Sequence, residues 1–497
     1  MPISNFADHD ALALADLVRR REVSPRELVA ESIARIERHN PALNAVVHPM
    51  FDAAVKAADG PLPQGPFTGV PFLLKDLLAW YEGEPITSGS RLYRGFRAPH
   101  DSEVVKRYRQ AGVVVVGKTN TPELGITPFT ESTFLGPARN PWNPAYTTGG
   151  SSGGSGAAVA SGMVPMAAGG DGGGSLRIPA SCCGVFGMKP TRGRVPWGPD
   201  QGELWRGAVV EGVISRSVRD SAAMLDAISG PDVGAPYWAE PPERPYAREV
   251  GAPPGKLRIA FTDSPMLGHT VHEDCKVALR DAVTLLESLG HECVEAAPPL
   301  EREPFNRAFL VMVCAEIKAD LNDAAALIGR SVARDDVEFA TWALSLLAGS
   351  VSAGEYASSM RVLQRAARRI GAFHEAYDVW LTPTLAMPPF IIGALQPPPG
   401  EARLLRALGA LRAGGLLYRM GAVDQAADKV FDFIPYTPIA NMTGQPAMSV
   451  PLSWNAAQLP IGVHFTAKFG DEATLFRLAA QLELARPWAG KRPPIFG

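Results

Sequence analysis

Three segments of the 497-residue chain carry reactive side chains in settings that ordinary solvation or packing does not account for. In Gly69-Val70-Pro71-Phe72-Leu73-Leu74-Lys75-Asp76-Leu77-Leu78 a lysine stands inside an apolar run. Burial disfavours the ammonium form, so the lysine pKa falls toward that of a usable base. Pairing with Asp76, or snorkelling to solvent, is the common fate of a lysine in such a run. In Asp171-Gly172-Gly173-Gly174-Ser175 three glycines free the backbone to aim several N–H groups at one point. Main chain of that kind can hold the oxyanion of acyl transfer beside a serine nucleophile. Taken alone, the same run also fits a plain loop or a phosphate cradle.

In Gly149-Gly150-Ser151-Ser152-Gly153-Gly154 both serines satisfy the pattern G-x-S-x-G. A nucleophile elbow needs a strand directly before its serine, whereas NPWNPAY (140–146) carries two prolines and is expected as extended loop. The nine histidines share no acid-flanked or glycine-framed setting, so a histidine triad has no positive support.

These residues need a scaffold, and the chain offers alternating strands and helices. Leu12, Leu14, Leu17, Val18, Leu28, Ile33 and Ile36 recur at helical spacing. Ser24 and Pro25 mark a second helix start among them, which predicts two amphipathic helices over 10–39. Short apolar runs bounded by Gly and Pro (NAVVHP, GVPFLLKD, AGVVVVGK) read as buried strands, with a helix at 102–110 between them. The glycine- and serine-rich stretch 140–196 holds Trp142, Leu176, Ile178, Val185, Phe186, Met188 and Val195, too many apolar residues for a linker. Further along come a helix ending at Gly230, the strand LRIAFT, a helix over 275–289, a largely helical stretch over 305–375 and the strand DVWLTPT. A helix over 404–420, the strand pair SVPLSW and PIGVHFTA, and a closing helix over 472–484 complete the reading. Buried strands alternating with helices imply α/β architecture, and the proline-rich stretch from Pro231 to Pro254 fits a domain boundary as well as a surface loop.

Bulk properties exclude several classes. The 48 basic and 51 acidic side chains leave a net charge of -3, with no field to hold nucleic acid or an anionic membrane. Five cysteines without CxxC spacing argue against a disulfide framework or zinc site and for a reducing cytoplasm. The N-terminus lacks the apolar core of a signal peptide, and no run of 18 apolar residues occurs.

The stretch from GGSSGGSGAAVASG through GGDGGGSLRIPASCCGVFGMKPTRGRV, with GVPFLLKD upstream, resembles the amidase signature family across nearly the whole chain. The resemblance implies Ser175 as nucleophile, Ser151 as a bridging serine behind a cis peptide from Gly150, and Lys75 as base. It also implies an oxyanion hole at the main chain of Gly172, Gly173, Gly174 and Ser175, with Asp171 and Arg177 bracing the site. Residues 197–206 fall on a pocket loop and Cys314 near a pocket-lining cysteine, although a small buried residue on a helix fits Cys314 equally well. For the fold, the resemblance implies α/β: a single large domain, 1–497, with a mixed twisted sheet covered on both faces by helices, 70–196 as the catalytic core segment and 231–256 as a surface loop. Such a site needs no metal or organic cofactor. Its expected partner is a small amide or carbamate, in a monomer or a homodimer. Carbamate or ester hydrolysis by the same triad is the alternative, with a glutamine-using amidotransferase subunit or a non-catalytic member less favoured.

Overall fold

The first two helices are set by their caps. Asp10 accepts a hydrogen bond from the Ala13 amide at the start of the helix Ala11–Arg19. Ser24 and Glu27 form a capping box with Pro25 in the first turn of the helix Pro25–Leu43. The computed structural model describes residues 5–396, Tyr418 and residues 428–497. Apart from Tyr418, the helix expected over 404–420 lies outside the described residues.

The strands are, in chain order, β1 (Val46–Pro49), β2 (Pro71–Lys75), β3 (Val114–Thr119), β4 (Glu131–Ser132), β5 (Gly136–Pro137), β6 (Arg139–Asn140) and β7 (Asn143–Thr147). They continue with β8 (Met166–Asp171), β9 (Phe186–Lys189), β10 (Val210–Ser215), β11 (Arg258–Phe261), β12 (Glu292–Glu295), β13 (Val379–Pro383), β14 (Ala447–Trp454) and β15 (Pro460–Ala467). Eleven of them form one sheet in the order β1-β3-β2-β8-β10-β9-β14-β15-β13-β11-β12. It is mixed: β2 runs parallel to β3 and β8, while β10 runs antiparallel to β8 and β9.

Side chains alternate across this sheet and divide between two cores. Phe72 and Leu74 pack with Val105, Tyr108 and Ala222 on one face. Leu73 packs with Ala157, Val159 and Ile36 on the other. Both faces are thus covered by helices, as a strand run apolar on both sides requires. A third core gathers the long helices Arg302–Ile328, Phe339–Ala348 and Ala353–Ala376 against Trp380 and Ile439.

NPWNPAY differs from its expectation. Arg139–Asn140 and Asn143–Thr147 pair as a short antiparallel ribbon apart from the main sheet. Pro144 is tolerated there because a two-stranded ribbon is all edge and leaves a strand side that needs no donor. The segment 231–256 is irregular apart from a single 3-10 turn at Tyr246–Arg248.

Phe72 is fully buried, with its ring centroid 4.9 Å from that of Tyr108. Replacing Phe72 by Ala should cost about 3–5 kcal/mol of stability. A urea titration that found almost no loss would contradict this packing.

Candidate active site

Lys75 closes β2 and is only 1% exposed. Its Nζ donates to Ser151 Oγ at 2.8 Å. Neither common fate of a lysine in an apolar run applies. Asp76 turns to Thr87, accepting from its amide at 3.0 Å and from its hydroxyl. Burial pulls the Lys75 ammonium down to about 8, while the negative charges of Glu211 and Asp171 oppose the shift.

Ser151 follows a cis Gly150–Ser151 peptide. A Cβ at position 150 would lie 2.7 Å from the Phe129 backbone nitrogen, so only glycine fits that approach. Ser175 sits in the turn between β8 and the helix Arg177–Cys183, 8% exposed. Lys75, Ser151 and Ser175 open on one cavity. Ser152, the other serine of the G-x-S-x-G pattern, is fully buried and donates to the Gly170 carbonyl at 3.2 Å.

The glycine turn is held by one carboxylate. Asp171 accepts from the amides of Gly174 (2.7 Å) and Leu176 (3.1 Å), from Arg177 Nε (3.0 Å) and Nη2 (2.9 Å), and from Asn441 Nδ2 (2.9 Å). Burial alone would raise the Asp171 pKa, but the Arg177 guanidinium and these bonds outweigh it and hold the carboxyl well below the usual range. Arg177 also donates to the Thr437 carbonyl and the Asn441 side chain, and the Thr437 hydroxyl donates to the Gly173 carbonyl at 2.7 Å. Gly174 adopts φ +129, and a Cβ there would meet Thr437 Oγ1 at 2.4 Å.

This arrangement corrects one expectation. The Gly174 amide points at Asp171 and is not available to an oxyanion. Among the described residues the amides of Gly172, Gly173 and Ser175 have no such acceptor, so these three remain as candidate donors.

The cavity holds about 1670 Å³, above the usual range for small-molecule sites. Trp197, Leu204 and Trp205 of the expected pocket loop line it, and the helix Phe339–Ala348 roofs it with Phe339, Trp342 and Leu347. Glu123 ties that roof to the core, accepting from the Ser90 hydroxyl, the Thr341 hydroxyl and the Glu338 amide, each at 2.6 Å. Cys314 does not line the cavity. It is fully buried in the helical core behind Leu310 and Val313, and burial pushes its thiol up to about 12. The second reading of Cys314, a small buried residue on a helix, is the one that fits.

Sequence reading missed Glu123, Thr437, Asn441 and Glu211. Glu211 had a visible signal, an acid inside the apolar run AVVEGVIS (208–215), which is the same kind of signal that marked Lys75. No group of three or more metal-ligating side chains is found among the described residues. No described helix is long and apolar enough to cross a membrane.

A family model described as Amidase matches residues 27–476. The chain belongs to the amidase signature family. It is an amidase, a hydrolase of amide bonds. It is 39% identical over 493 residues to a 6-aminohexanoate-cyclic-dimer hydrolase of Pseudomonas sp. (strain NK87), covering 98% of this chain and 96% of that one. A solved structure of 6-aminohexanoate cyclic dimer hydrolase complexed with substrate superposes with a TM-score of 0.89 at 37% identity, covering 99% of this chain and all of that one. A bacterial aryl acylamidase structure of the same family is 26% identical with a TM-score of 0.83, covering 98% of this chain and 99% of the other.

Two outcomes follow from the amidase geometry. Arg177→Met leaves the Asp171 carboxylate buried without its cation and should cost about 3–5 kcal/mol, read as a lowered thermal midpoint. Glu123→Ala should free the roof helix and raise KM several-fold with a smaller change in kcat. Unchanged steady-state constants would dismiss the tether.

Proposed function

We propose that this amidase cleaves carboxamide C–N bonds of small or oligomeric amides through an acyl-enzyme on Ser175, with Ser151 and neutral Lys75 relaying the proton. The observation that carries the reading is the 2.8 Å hydrogen bond from a buried, pKa-depressed Lys75 to Ser151, on the wall of the cavity that also holds Ser175. Lys75 accepts the Ser151 proton as Ser151 takes that of Ser175, and Ser175 Oγ bonds to the carbonyl carbon. The charge that develops on the carbonyl oxygen is met by the amides of Gly172, Gly173 and Ser175. Run backward, the relay protonates the amine as the C–N bond breaks. Water then loses a proton by the same route, attacks the acyl carbon, and the Ser175–acyl bond breaks to release the acid.

The names of the relatives point to ω-amino-acid oligoamides and aryl amides as substrates. Carbamates and esters with bulky groups are the second reading, favoured by the width of the cavity and by its apolar roof. A panel of aryl amides, carbamates and esters ranked by kcat/KM separates the two.

Ser175→Ala and Lys75→Ala should each lower kcat by at least ~1000-fold, and a fluorophosphonate adduct should map to Ser175. Near-normal turnover in either variant, or an adduct on Ser151 or Ser152, rejects the assignment. Because the neutral amine is the reactive form, kcat/KM should climb as pH rises through about 8. A profile flat across that range would deny Lys75 the part of base.

A further inference from the structure

We propose that Glu211 is a positioning residue that acts through Lys75, its carboxyl governing whether that lysine is charged or neutral; this rests on the Ser175–Ser151–Lys75 reading and deepens it. Glu211 is 2% exposed on β10, and neither carboxyl oxygen has a hydrogen-bond partner. It lines the cavity shared by Lys75, Ser151 and Ser175. A Cβ at Gly170, its register partner on β8, would come within 3.0 Å of Glu211 Oε1, so the glycine makes room for the carboxyl. A buried carboxyl without partners is costly to keep, and neither of its oxygens does anything for the fold that the structure shows.

The charged and titratable groups around the pair are few. Lys75 faces Glu211 from β2, and Tyr108 faces it from the helix Glu103–Gln110, with its hydroxyl directed to the Gly212 carbonyl. Asp171 on β8 also faces Lys75, but its charge is taken up by Arg177. Lys75 and Glu211 are not in ion-pair contact; the lysine hydrogen bond goes to Ser151. The pair can hold one proton in two ways. In one, neutral amine faces neutral acid; in the other, ammonium faces carboxylate. Only the first leaves Lys75 able to accept a proton from Ser151. Burial raises the Glu211 carboxyl to about 8, and the Lys75 charge opposes the rise. The two groups therefore titrate as a unit, each altering the other's proton affinity.

The test is the pH profile of kcat/KM on a chromogenic anilide, with the full-length enzyme and its Glu211→Gln variant. Removing the ionisable carboxyl removes the charge that favours protonated Lys75, so the acid limb should move to lower pH by about half a unit to one unit. The reciprocal measurement uses infrared spectroscopy. In Lys75→Met the protonated-carboxyl band that titrates highest should persist to still higher pH, because no ammonium remains to favour the carboxylate. An acid limb that stays in place or moves upward, or a band indifferent to Lys75→Met, overturns the proposal. If Glu211→Gln fails to fold, the infrared result on Lys75→Met decides alone. An unmoved limb alongside inactive Ser175→Ala and Lys75→Ala sinks only the role of Glu211. Active Lys75→Ala sinks the reading beneath it.

Discussion

A primary amine almost wholly withdrawn from water is the constraint around which this molecule is built. Lys75 is buried at the end of a strand whose neighbours are apolar on both faces, with a serine hydroxyl as the partner of its nitrogen. Water would keep such an amine protonated at neutral pH, whereas a sheet interior penalises the charge. The depression has a limit, because Asp171 and Glu211 lie close enough to pull the other way. Arg177 answers one of those charges, and protonation can answer the other.

The glycine turn obeys a second requirement, that amides point outward from a loop with no side chains to steer it. One carboxylate does the steering from below. Asp171 draws in the Gly174 and Leu176 amides, and Arg177 and Asn441 fix Asp171 in turn. The Thr437 hydroxyl closes the far side by binding the Gly173 carbonyl. The polar cluster is dense, buried and largely satisfied, which favours a single geometry over several.

How much of this was legible in the sequence depends on contact range. Caps are local, so Ser24 and Pro25 announced their helix directly. Apolar runs reported two-sided burial, and so the α/β class and the unusual place of Lys75 were readable, whereas the mixed sheet came with the family resemblance. Motif resemblance supplied the pairing of Ser151 with Lys75 across 76 residues, which no periodicity could give. Thr437 and Asn441 escaped notice because they reach the glycine turn from 264 and 270 positions away. Glu123 was hidden likewise, since it meets Thr341 across 218 positions. Gly174 was misjudged for a different reason: a glycine run shows that amides are free to turn, not which of them a nearby acid will claim. The prolines of NPWNPAY suggested loop because proline is poor in central strands, a rule that does not bind a ribbon with two edges.

The roof of the cavity shares a core with the layer beneath it: Leu347 falls in one hydrophobic cluster with Ile178 and Cys182, on the helix that follows Ser175, and with Trp380 of β13. Phe339, Trp342 and Leu347 belong to a helix whose start is also held by hydrogen bonds to Glu123 and Thr133, while Lys75, Ser151 and Ser175 are anchored by strands and by the Asp171 cluster. Shape selection and bond breaking thus draw on different elements that meet in a common interior. A side chain exchanged on the cavity face of the roof changes which molecules fit, whereas one exchanged on its buried face is felt by the helix that follows the nucleophile.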